Sequence, residues 1–362
     1  MNALEEARKI INEADAKMAE LFCIRMRASE MVGAYKKEHG LKIRDTEREA
    51  EVIRRNAPLV EDKVLREYYV QFLESNITLS CAYQERLMNG MKVAYSGTEG
   101  AFAHIACCKL FPSAQKNGYP DFASAYMAVQ NGECDVAVLP VENSYNGEVG
   151  QVTDLMFSGS LYVNNITELA ITQDLLAVPG ASLSDIKKVV SHPQALGQCA
   201  AYIKEKGFTS EEYVNTALAA KYVAENGDKS IAAIASAEAA EIFGLCVLEK
   251  NINASRNNTT RFAVFSRADN TYSAGEKGVH TILMFTVRNE AGALVKAIDI
   301  IGRYGFNMIS LRSRNMKELL WQYYFYVELE GDITAENGKK MLNELQACCD
   351  KLKIVGSFKK EI

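Results

Sequence analysis

The chain has 362 residues, more than one hydrophobic core usually fills, so its length indicates two or three domains. Hydrophobic residues make up 48% of the chain and charged residues 24%, a composition typical of folded globular proteins that excludes a disordered or fibrous one. The net charge of -5 gives no overall attraction to nucleic acid, so we also exclude a nucleic-acid-binding protein.

The cysteines and the apolar runs bear on compartment and cofactors. Nine cysteines form no CxxC pair and have no histidine at ligand spacing, so we expect buried thiols in a reducing compartment, no metal and no organic cofactor. The first ten residues carry acids where a secretory leader is basic, and no apolar run approaches the roughly 18 residues of a membrane span. We therefore predict a cytoplasmic protein without a membrane partner.

The first domain is predicted to be all-α over residues 1–89. Residues 3–38 contain no proline and one glycine, which predicts a single helix of roughly 50 Å. A second helix is predicted to begin at Asp45 or Thr46, both good capping residues, and a third to cover residues 61–88. Because the first helix is too long for its own small domain, we expect it to pair with a second copy in a homodimer or higher homo-oligomer.

Strands and helices alternate over residues 91–268. The apolar runs DVAVLPV, KKVVS, SIAAIAS and RFAVFS are separated by helical stretches. This order predicts an α/β domain whose mostly parallel strands are covered by helices on both faces, with the site at their carboxyl ends. A polar stretch at 269–278 predicts a linker. A third domain over 279–358, of the α+β class, has the order βαββαβ.

Polar residues recur along one seam of the first helix. Taking every third or fourth residue gives coiled-coil-like spacing, and half of the members are polar. Burying an unpaired cation costs several kcal/mol of folding free energy. The seam therefore indicates either a dianionic ligand that pairs with the cations or cations that lie beside the seam in solvent. Periodicity leaves both interpretations open. The seam is Leu4, Arg8, Ile11, Asp15, Met18, Phe22, Arg25, Ser29, Val32 and Lys36.

Two motifs follow the seam in the sequence: an Asp-x-x-Arg-Glu cluster at residues 45–49 and Ser-x-x-x-Gln at residues 80–84. Together with the seam, they make residues 4–88 resemble the small helical chorismate mutases. The resemblance implies that three arginines hold the two carboxylates of chorismate, with one supplied by the partner subunit. It also implies that Lys36 and Gln84 are catalytic, donating to the ether oxygen. The implied substrate-binding residues are Arg8, Arg25, Lys36, Asp45, Arg48, Glu49, Ser80 and Gln84.

Polar residues follow several predicted strands of the second domain. The order of VPVENS, SHPQALGQ and TTRF makes residues 91–267 resemble prephenate dehydratase, which implies a two-lobed, periplasmic-binding-protein-like fold. The resemblance implies that Thr260 is the residue most tied to catalysis, with Glu142 or a water completing proton transfer. His192 is either a general acid or a structural cap. The implied substrate-binding residues are Asn143, Ser144, Gln198, Arg261 and Phe262.

Three departures from the dehydratase pattern, at Thr98, Ala101 and Ala103, change the hydroxyl content of a turn suited to anions. Two alternatives therefore stay open beside prephenate dehydration. One is an arogenate dehydratase, which would share these motifs. The other is a non-catalytic module that binds a carboxylate metabolite and carries a sensor.

The third domain resembles the ACT domain that binds phenylalanine in these enzymes, through its βαββαβ order and the motif Gly-Ala-Leu-Val at residues 292–295. The effector-binding residues that this implies are Gly292, Ala293, Leu294 and Val295. The second family motif, Glu-Ser-Arg-Pro, is replaced here by residues 312–315, Arg-Ser-Arg-Asn. A carboxylate suited to an ammonium group has become a cation. Sensing of phenylalanine and a purely dimer-holding role are both left open.

Overall fold

The computed structural model describes residues 2–254, 257–270, 272, 277–316 and 322–360. The chain divides into two compact units, Met1–Met91 and Lys92–Ile362. Within the described ranges, no helix combines the length and the apolar character that a membrane crossing demands.

The N-terminal unit contains three α-helices, as the sequence predicts: α1 (Ala3–Glu38), α2 (Thr46–Asn56) and α3 (Lys63–Asn89). Side chains cap the free backbone N–H groups at each start. Asn2 caps α1, Asp45 caps α2 by accepting from the Arg48 N–H at 3.0 Å, and Asp62 caps α3. A short 3-10 turn at Ala57–Leu59 separates the last two helices at Pro58, which cannot continue a helix ladder.

Little of this unit is buried in a single chain. Among residues 2–91, Ile77 is the only hydrophobic residue below 10% exposure, and the contact between α1 and α3 is otherwise polar. A row of large apolar side chains on α1 is 41–74% exposed instead. These are Leu4, Ile10, Ile11, Met18, Leu21, Phe22, Ile24, Met31, Val32 and Tyr35.

The C-terminal unit begins with two sheets that are joined by two chain crossings. The first sheet has the order β2-β1-β3-β11-β5, with β4 beside β3, and the second has the order β10-β6-β9-β7-β8. The strands are β1 (Lys92–Ser96), β2 (Gln115–Tyr119), β3 (Val136–Asn143), β4 (Gly147–Glu148), β5 (Tyr162–Ala170), β6 (Asp174–Ala177), β7 (Lys188–Ser191), β8 (Thr209–Glu212), β9 (Ile231–Ala235), β10 (Cys246–Glu249) and β11 (Thr259–Ser266). The helices are α4 (Phe102–Leu110), α5 (Phe122–Gln130), α6 (Gly150–Ser158), α7 (Pro193–Gln198), α8 (Ala200–Lys206), α9 (Thr216–Asn226) and α10 (Ala237–Phe243).

The prediction of mostly parallel strands is wrong. Parallel pairing is confined to β2-β1-β3 and to β8-β7-β9, while β11 runs antiparallel to both β3 and β5. The strands β6 and β10 also pair antiparallel. The antiparallel pairs of β6, β10 and β11 arise where the chain crosses between sheets, because a strand on either side of a crossing is not part of a right-handed βαβ connection. The short strand β4 pairs antiparallel with β3, which it follows directly.

The C-terminal portion has the predicted βαββαβ order. Its elements are β12 (Val279–Thr286), α11 (Ala293–Arg303), β13 (Asn307–Asn315), β14 (Tyr323–Glu330), α12 (Glu336–Cys348) and β15 (Lys351–Lys359). The sheet order is β13-β14-β12-β15 and all three pairs are antiparallel. The predicted linker is described at 269, 270, 272, 277 and 278, and its other positions lie outside the described residues.

Both faces of this third sheet are buried, which explains why β12 is apolar at successive positions. Leu283 and Phe285 pack under the two helices, and Ile282 and Met284 join the core of the first sheet. Successive side chains of a strand point to opposite faces, so an unbroken apolar run fits a strand that is covered twice. The βαββαβ portion therefore shares a hydrophobic core with the first sheet.

Candidate functional site

The buried contact between α1 and α3 consists of short polar side chains. On α3, Asn76, Ser80 and Gln84 follow one another at intervals of four residues, so they lie on one face. On α1, Ser29 and Gly33 have the same spacing and are also buried. The two faces oppose each other.

Hydrogen bonds tie these faces together. Arg25 Nη1 donates to the Asn76 carbonyl at 3.0 Å and to Ser80 Oγ, and Gln84 Nε2 donates to Ser29 Oγ at 2.9 Å. Gln84 Oε1 is buried without a partner among the described residues. A Cβ on Gly33 would lie 3.1 Å from Gln84 Cγ, so the glycine lets Gln84 approach α1 closely.

Lys36, Asp45 and Arg48 contact partners outside this cluster. Lys36 donates to the Ile43 carbonyl, and Asp45 serves as the cap of α2. Arg48 is exposed and pairs with Glu51 at 2.6 Å. Arg8 precedes Arg25 by 17 residues on one helix, or about 25 Å, which is too far for both to hold one small ligand within a single chain.

Glu49 lies beside α3, with Oε1 3.9 Å from Cys81 Sγ. Burial and this neighbouring carboxylate raise the pKa of the Cys81 thiol. Sequence reasoning therefore found Arg25, Ser80 and Gln84, which the fold brings together. It did not assign a role to Asn76 or Ser29. Each lies four residues from an identified site residue, Ser80 or Arg25, and this helical spacing could have indicated them.

The C-terminal unit contains a cavity of about 510 Å³ lined from the first two sheets. Of the implied dehydratase residues, Asn143, Gln198, Thr260 and Phe262 line it, together with His192. Its described lining is Ser96, Ala101, Phe102, Ala103, Phe122, Pro140, Asn143, Asn146, Gly147, Glu148, Val149, Ile171, Gln173, His192, Gln194, Ala195, Gln198, Val214, Asn215, Thr216, Asn258, Thr260 and Phe262.

Thr260 and Asn143 face each other across neighbouring strands and form the centre of this cavity. They occupy one rung of the ladder between β11 and β3, and Asn143 Nδ2 donates to Thr260 Oγ1 at 2.9 Å. The same nitrogen donates to Asn258 Oδ1 at 2.7 Å. Asn143 Oδ1 in turn accepts from the Tyr145 and Asn146 N–H groups at 3.0 and 2.9 Å. The amide therefore fixes Thr260 and the following turn.

Three amide groups along the cavity present polar atoms without a partner among the described residues. These atoms are Gln173 Oε1, Gln198 Oε1 and Asn258 Nδ2. Gln173 and Asn258 are each only 3% exposed. Buried polar groups usually have partners, so these atoms are suited to a ligand or to water. Sequence reasoning missed Gln173, because the polar stretch TQD before the apolar run LLAV gives no sign that the chain crosses between sheets there.

His192 caps α7, because its Nδ1 accepts from the Gln194 N–H at 3.3 Å. The ring also lines the cavity, so the cap and the site are compatible roles for one side chain. Two of the three departures at the anion turn fall at the cavity as well. Ala101 and Ala103 line it, and Thr98 Oγ1 is buried without a partner among the described residues.

Glu142 and Arg261 do not line this cavity, which corrects their expected places. They form the next rung after Asn143 and Thr260, and successive side chains of a strand point to opposite faces. Arg261 instead makes a two-pronged ion pair with Glu328 of β14 at 2.9 and 3.0 Å. Burial opposes the charge of Arg261, but the hydrogen bonds with Glu328 outweigh burial and raise its pKa. Ser144 also points elsewhere, donating to the Asn257 carbonyl at 2.8 Å.

A second cavity, of about 320 Å³, lies in the βαββαβ portion beside the start of α11. Of the four implied effector residues only Leu294 lines it. Gly292 is the N-cap of α11 with a φ of 84°, a left-handed conformation that favours glycine, and Val295 is 69% exposed. The described lining is Thr286, Val287, Arg288, Asn289, Glu290, Leu294, Gln322, Tyr323, Phe325 and Asp350. Across the described part of the chain, no group of three or more potential ligands is arranged for a metal ion.

Comparison with known proteins assigns these two units to known classes. The type II chorismate mutase family matches residues 7–85, and the prephenate dehydratase family matches residues 93–270. A bifunctional chorismate mutase/prephenate dehydratase of Aquifex aeolicus is 30% identical over 100% of this chain and 99% of its own. The chain belongs to the family of bifunctional chorismate mutase/prephenate dehydratases.

Other relatives share the C-terminal unit. Arogenate dehydratase 2 of Petunia hybrida is 32% identical over 74% of this chain and 71% of its own. The structure of GqqA, a quorum-quenching acylase, is 32% identical with a TM-score of 0.69, covering 75% of this chain and 98% of that one. Prephenate dehydratase from Arthrobacter aurescens in complex with L-Phe is 26% identical with a TM-score of 0.67, covering 74% and 90%.

Proposed function

We propose that this chain converts chorismate to prephenate in the helical unit and prephenate to phenylpyruvate in the α/β unit. The observation that carries the proposal is that each family match falls on a unit with its own buried polar site. In the first, Arg25, Ser80 and Gln84 are joined by hydrogen bonds; in the second, Asn143 and Thr260 share a cavity. Chorismate and prephenate are then the small-molecule substrates, and the chemistry needs no cofactor.

The mutase reaction is an intramolecular rearrangement, so the site needs only to hold a compact conformer and stabilise charge as the ether bond breaks. Arg25 uses Nη1 for its contacts with α3, so its other N–H groups are available to a substrate carboxylate. Gln84 is held against Ser29 and would donate to the ether oxygen with Lys36. Because Arg8 lies about 25 Å along the helix from Arg25, we infer that the partner subunit of a dimer supplies it.

In the dehydratase reaction the ring hydroxyl leaves with the electron pair of its C–O bond and takes up a proton. The ring carboxylate leaves as carbon dioxide, and the electron pair of its C–C bond makes the ring aromatic. Thr260 Oγ1 already accepts from Asn143, so its own hydroxyl proton is free to donate to the leaving group. A neutral threonine is a weak acid, so the transferred proton comes from His192 or a water rather than from Glu142.

A second candidate substrate is arogenate, which carries an ammonium group where prephenate has a keto group. The observation that favours it is that two side-chain carbonyl oxygens at the cavity, Gln173 Oε1 and Gln198 Oε1, have no partner among the described residues. Prephenate has one hydroxyl to donate, whereas arogenate has a hydroxyl and an ammonium, enough to satisfy both acceptors. Relatives named as arogenate dehydratases share this unit.

We further propose that the chain has three domains, at residues 1–89, 91–268 and 279–358. The two-sheet arrangement supports a two-lobed, periplasmic-binding-protein-like dehydratase, and the βαββαβ order supports an ACT domain. A phenylalanine effector is supported by the L-Phe complex of the Arthrobacter aurescens relative and by the cavity beside α11. This cavity is lined by Arg288, which suits the carboxylate of an amino acid, and by Asp350, which suits its ammonium group. The nine free cysteines support a reducing, cytoplasmic location.

The test is to incubate the purified full-length protein with chorismate alone and to identify the product by chromatography. Phenylpyruvate is expected, because both activities reside in one chain. Prephenate that accumulates unchanged would contradict the dehydratase proposal, and parallel assays with arogenate would then decide between the second candidate and a non-catalytic module. Unconsumed chorismate would contradict the mutase proposal.

A further inference from the structure

Two arginines of strand β13 reach across to the first sheet. Arg312 Nη2 lies 2.6 Å from Glu142 Oε1. Arg314, two residues further on and therefore on the same face, contacts both oxygens of Asp154 at 2.7 and 3.2 Å and Glu148 Oε1 at 3.4 Å. β13 belongs to the βαββαβ portion, yet these side chains are held by residues of β3, β4 and α6.

One of the acids that they contact lines the dehydratase cavity, and another is adjacent in sequence to a residue that does. Glu148 lines the cavity itself, and it pairs with Glu142 in the ladder between β4 and β3. Glu142 immediately precedes Asn143, whose amide holds Thr260. Arg314 therefore contacts a residue that lines the cavity, Glu148. Arg312 contacts Glu142, which is adjacent in sequence to the cavity residue Asn143.

Arg261 closes the network on the other strand of the same rung. Its guanidinium lies 3.5 Å from Glu142 and pairs with Glu328, whose side chain is 1% exposed. Arg312 also lies over the ring of Tyr326, 5.5 Å from its centroid. These charges are largely removed from solvent, so their attractions are screened much less than those of a surface pair.

The ion-pair network and the site lie on consecutive rungs of the same ladder, so a shift of the backbone at Glu142 also moves Asn143. Thr260 and Asn143 form one rung, and Arg261 and Glu142 form the next, on the opposite face. The pairing is irregular immediately beyond, between Arg261 and Phe262. At this shift β11 stays paired with β5, and the side-chain contacts behind the sheet help to set where the β3 backbone lies relative to β11.

We propose that Arg312 is a positioning residue of the dehydratase site, acting through Glu142 on the backbone that bears Asn143 and Thr260. An acidic residue at this position would meet the Glu142 carboxylate and repel it, so the arginine makes the βαββαβ portion a structural part of the site. The inference rests on the proposed dehydratase function and goes beyond it. Arg312 does not touch substrate, and its effect is on the geometry of the groups that do.

The experiment uses the full-length chain with the substitution Arg312→Gln. With prephenate as substrate, we expect kcat to fall about tenfold while KM stays within about twofold, because only the aligned transition state loses stabilisation. Arg312→Lys keeps the charge and should recover much of the rate. Mutase turnover of chorismate by the same preparation should not change. Arg303→Gln is the matched control, since Arg303 is an exposed arginine of the same portion that pairs with Asp299 and Glu344.

The double variant Arg312→Gln with Glu142→Gln completes a cycle. If Arg312 acts through Glu142, the second substitution adds little to the first, and independent multiplication of the two losses would overturn the proposal. Arg312→Gln with unchanged kcat would also overturn it. Should Arg312→Gln fail to fold, Arg312→Lys and Glu142→Gln carry the same comparison. A wild-type chain that does not turn over prephenate would refute the proposed function instead, and the inference with it.

Discussion

At the scale of single residues, the two sites depend on amides and hydroxyls placed by regular secondary structure. Asn143 satisfies both its donor and its acceptor atoms and thereby fixes Thr260, while Glu142 and Arg261 on the next rung face away from the cavity. In the helical unit, Gln84 has its place because α1 carries no side chain at Gly33. Substitutions of Thr260 and Gly33 test these two arrangements.

Replacing Thr260 with alanine should lower dehydratase kcat by about a hundredfold or more and leave mutase activity unchanged, because the leaving hydroxyl loses its oriented donor. Assays with prephenate and with chorismate on one preparation measure both. Thr259→Ala is the control, since Thr259 is adjacent on β11 and does not line the cavity. Equal losses in the two variants would contradict the role given to Thr260.

Gly33→Ala sets two effects against each other. Alanine in a helix interior is favoured over glycine by about 0.5–1 kcal/mol, but here its Cβ would lie 3.1 Å from Gln84 Cγ and displace the amide. We expect mutase kcat to fall several-fold while the stability of the unit stays the same or rises. Chemical denaturation and initial rates distinguish the effects. An unchanged kcat would mean that Gln84 does not need its place against Ser29.

At the scale of elements, the first and third sheets are joined by a shared core and by ion pairs behind the dehydratase site. Glu328 on β14 is the most buried acid of this junction, at 1% exposure, and it contacts Arg261 and His280. Burial alone would raise the pKa of Glu328, but hydrogen bonds from Arg261 and then from His280 outweigh it and lower the pKa below its usual value.

A lowered pKa means that the unfolded chain binds a proton on Glu328 more readily than the folded chain does. The stabilisation from this group is therefore complete above the ordinary glutamate pKa and is lost as pH falls through the lower folded value. Glu328→Gln should cost roughly 3 kcal/mol at neutral pH, because Arg261 loses its partner, and the difference from wild type should narrow below about pH 4.5. Urea denaturation from pH 7 to well below about pH 4.5 measures this. Glu330→Gln, an exposed neighbour on the same strand, should show no such narrowing.

At the scale of the whole molecule, α1 is a helix of about 54 Å whose apolar residues are largely uncovered in one chain. A second copy is the partner that suits a long apolar helix face, and the separation of Arg8 from Arg25 gives the same indication from the site. A dimer in which α1 helices cross would cover the apolar face and complete two mutase sites together.

Complementation between subunits tests this arrangement. Arg8→Ala and Arg25→Ala should each abolish mutase activity when expressed alone. When the two variants are co-expressed, a mixed dimer has one site with both arginines intact, so about a quarter of the wild-type activity should return. Dehydratase activity provides the control for the amount of protein. If activity does not return, both arginines act within one chain. If Arg8→Ala alone stays active, Arg8 is not part of the site.

The sequence by itself determined the elements whose formation depends on local chemistry. The start of the second helix follows from the capping residue Asp45, and the βαββαβ order follows from the spacing of apolar residues. Motif resemblance also led to the family, and it found Asn143, Thr260, Gln84 and Arg25, which the fold brings into the two sites.

Only the tertiary structure decided strand direction and the face to which each motif residue points. In VPVENS and TTRF, neighbours in sequence lie on opposite faces, so Asn143 and Thr260 line the cavity while Glu142 and Arg261 turn to the C-terminal portion. Gln173 comes into the site from a crossing between sheets that no local pattern indicates. The physical reason is that side-chain alternation and chain crossings are fixed by pairing between residues far apart in sequence, and a single sequence does not contain that pairing in local form.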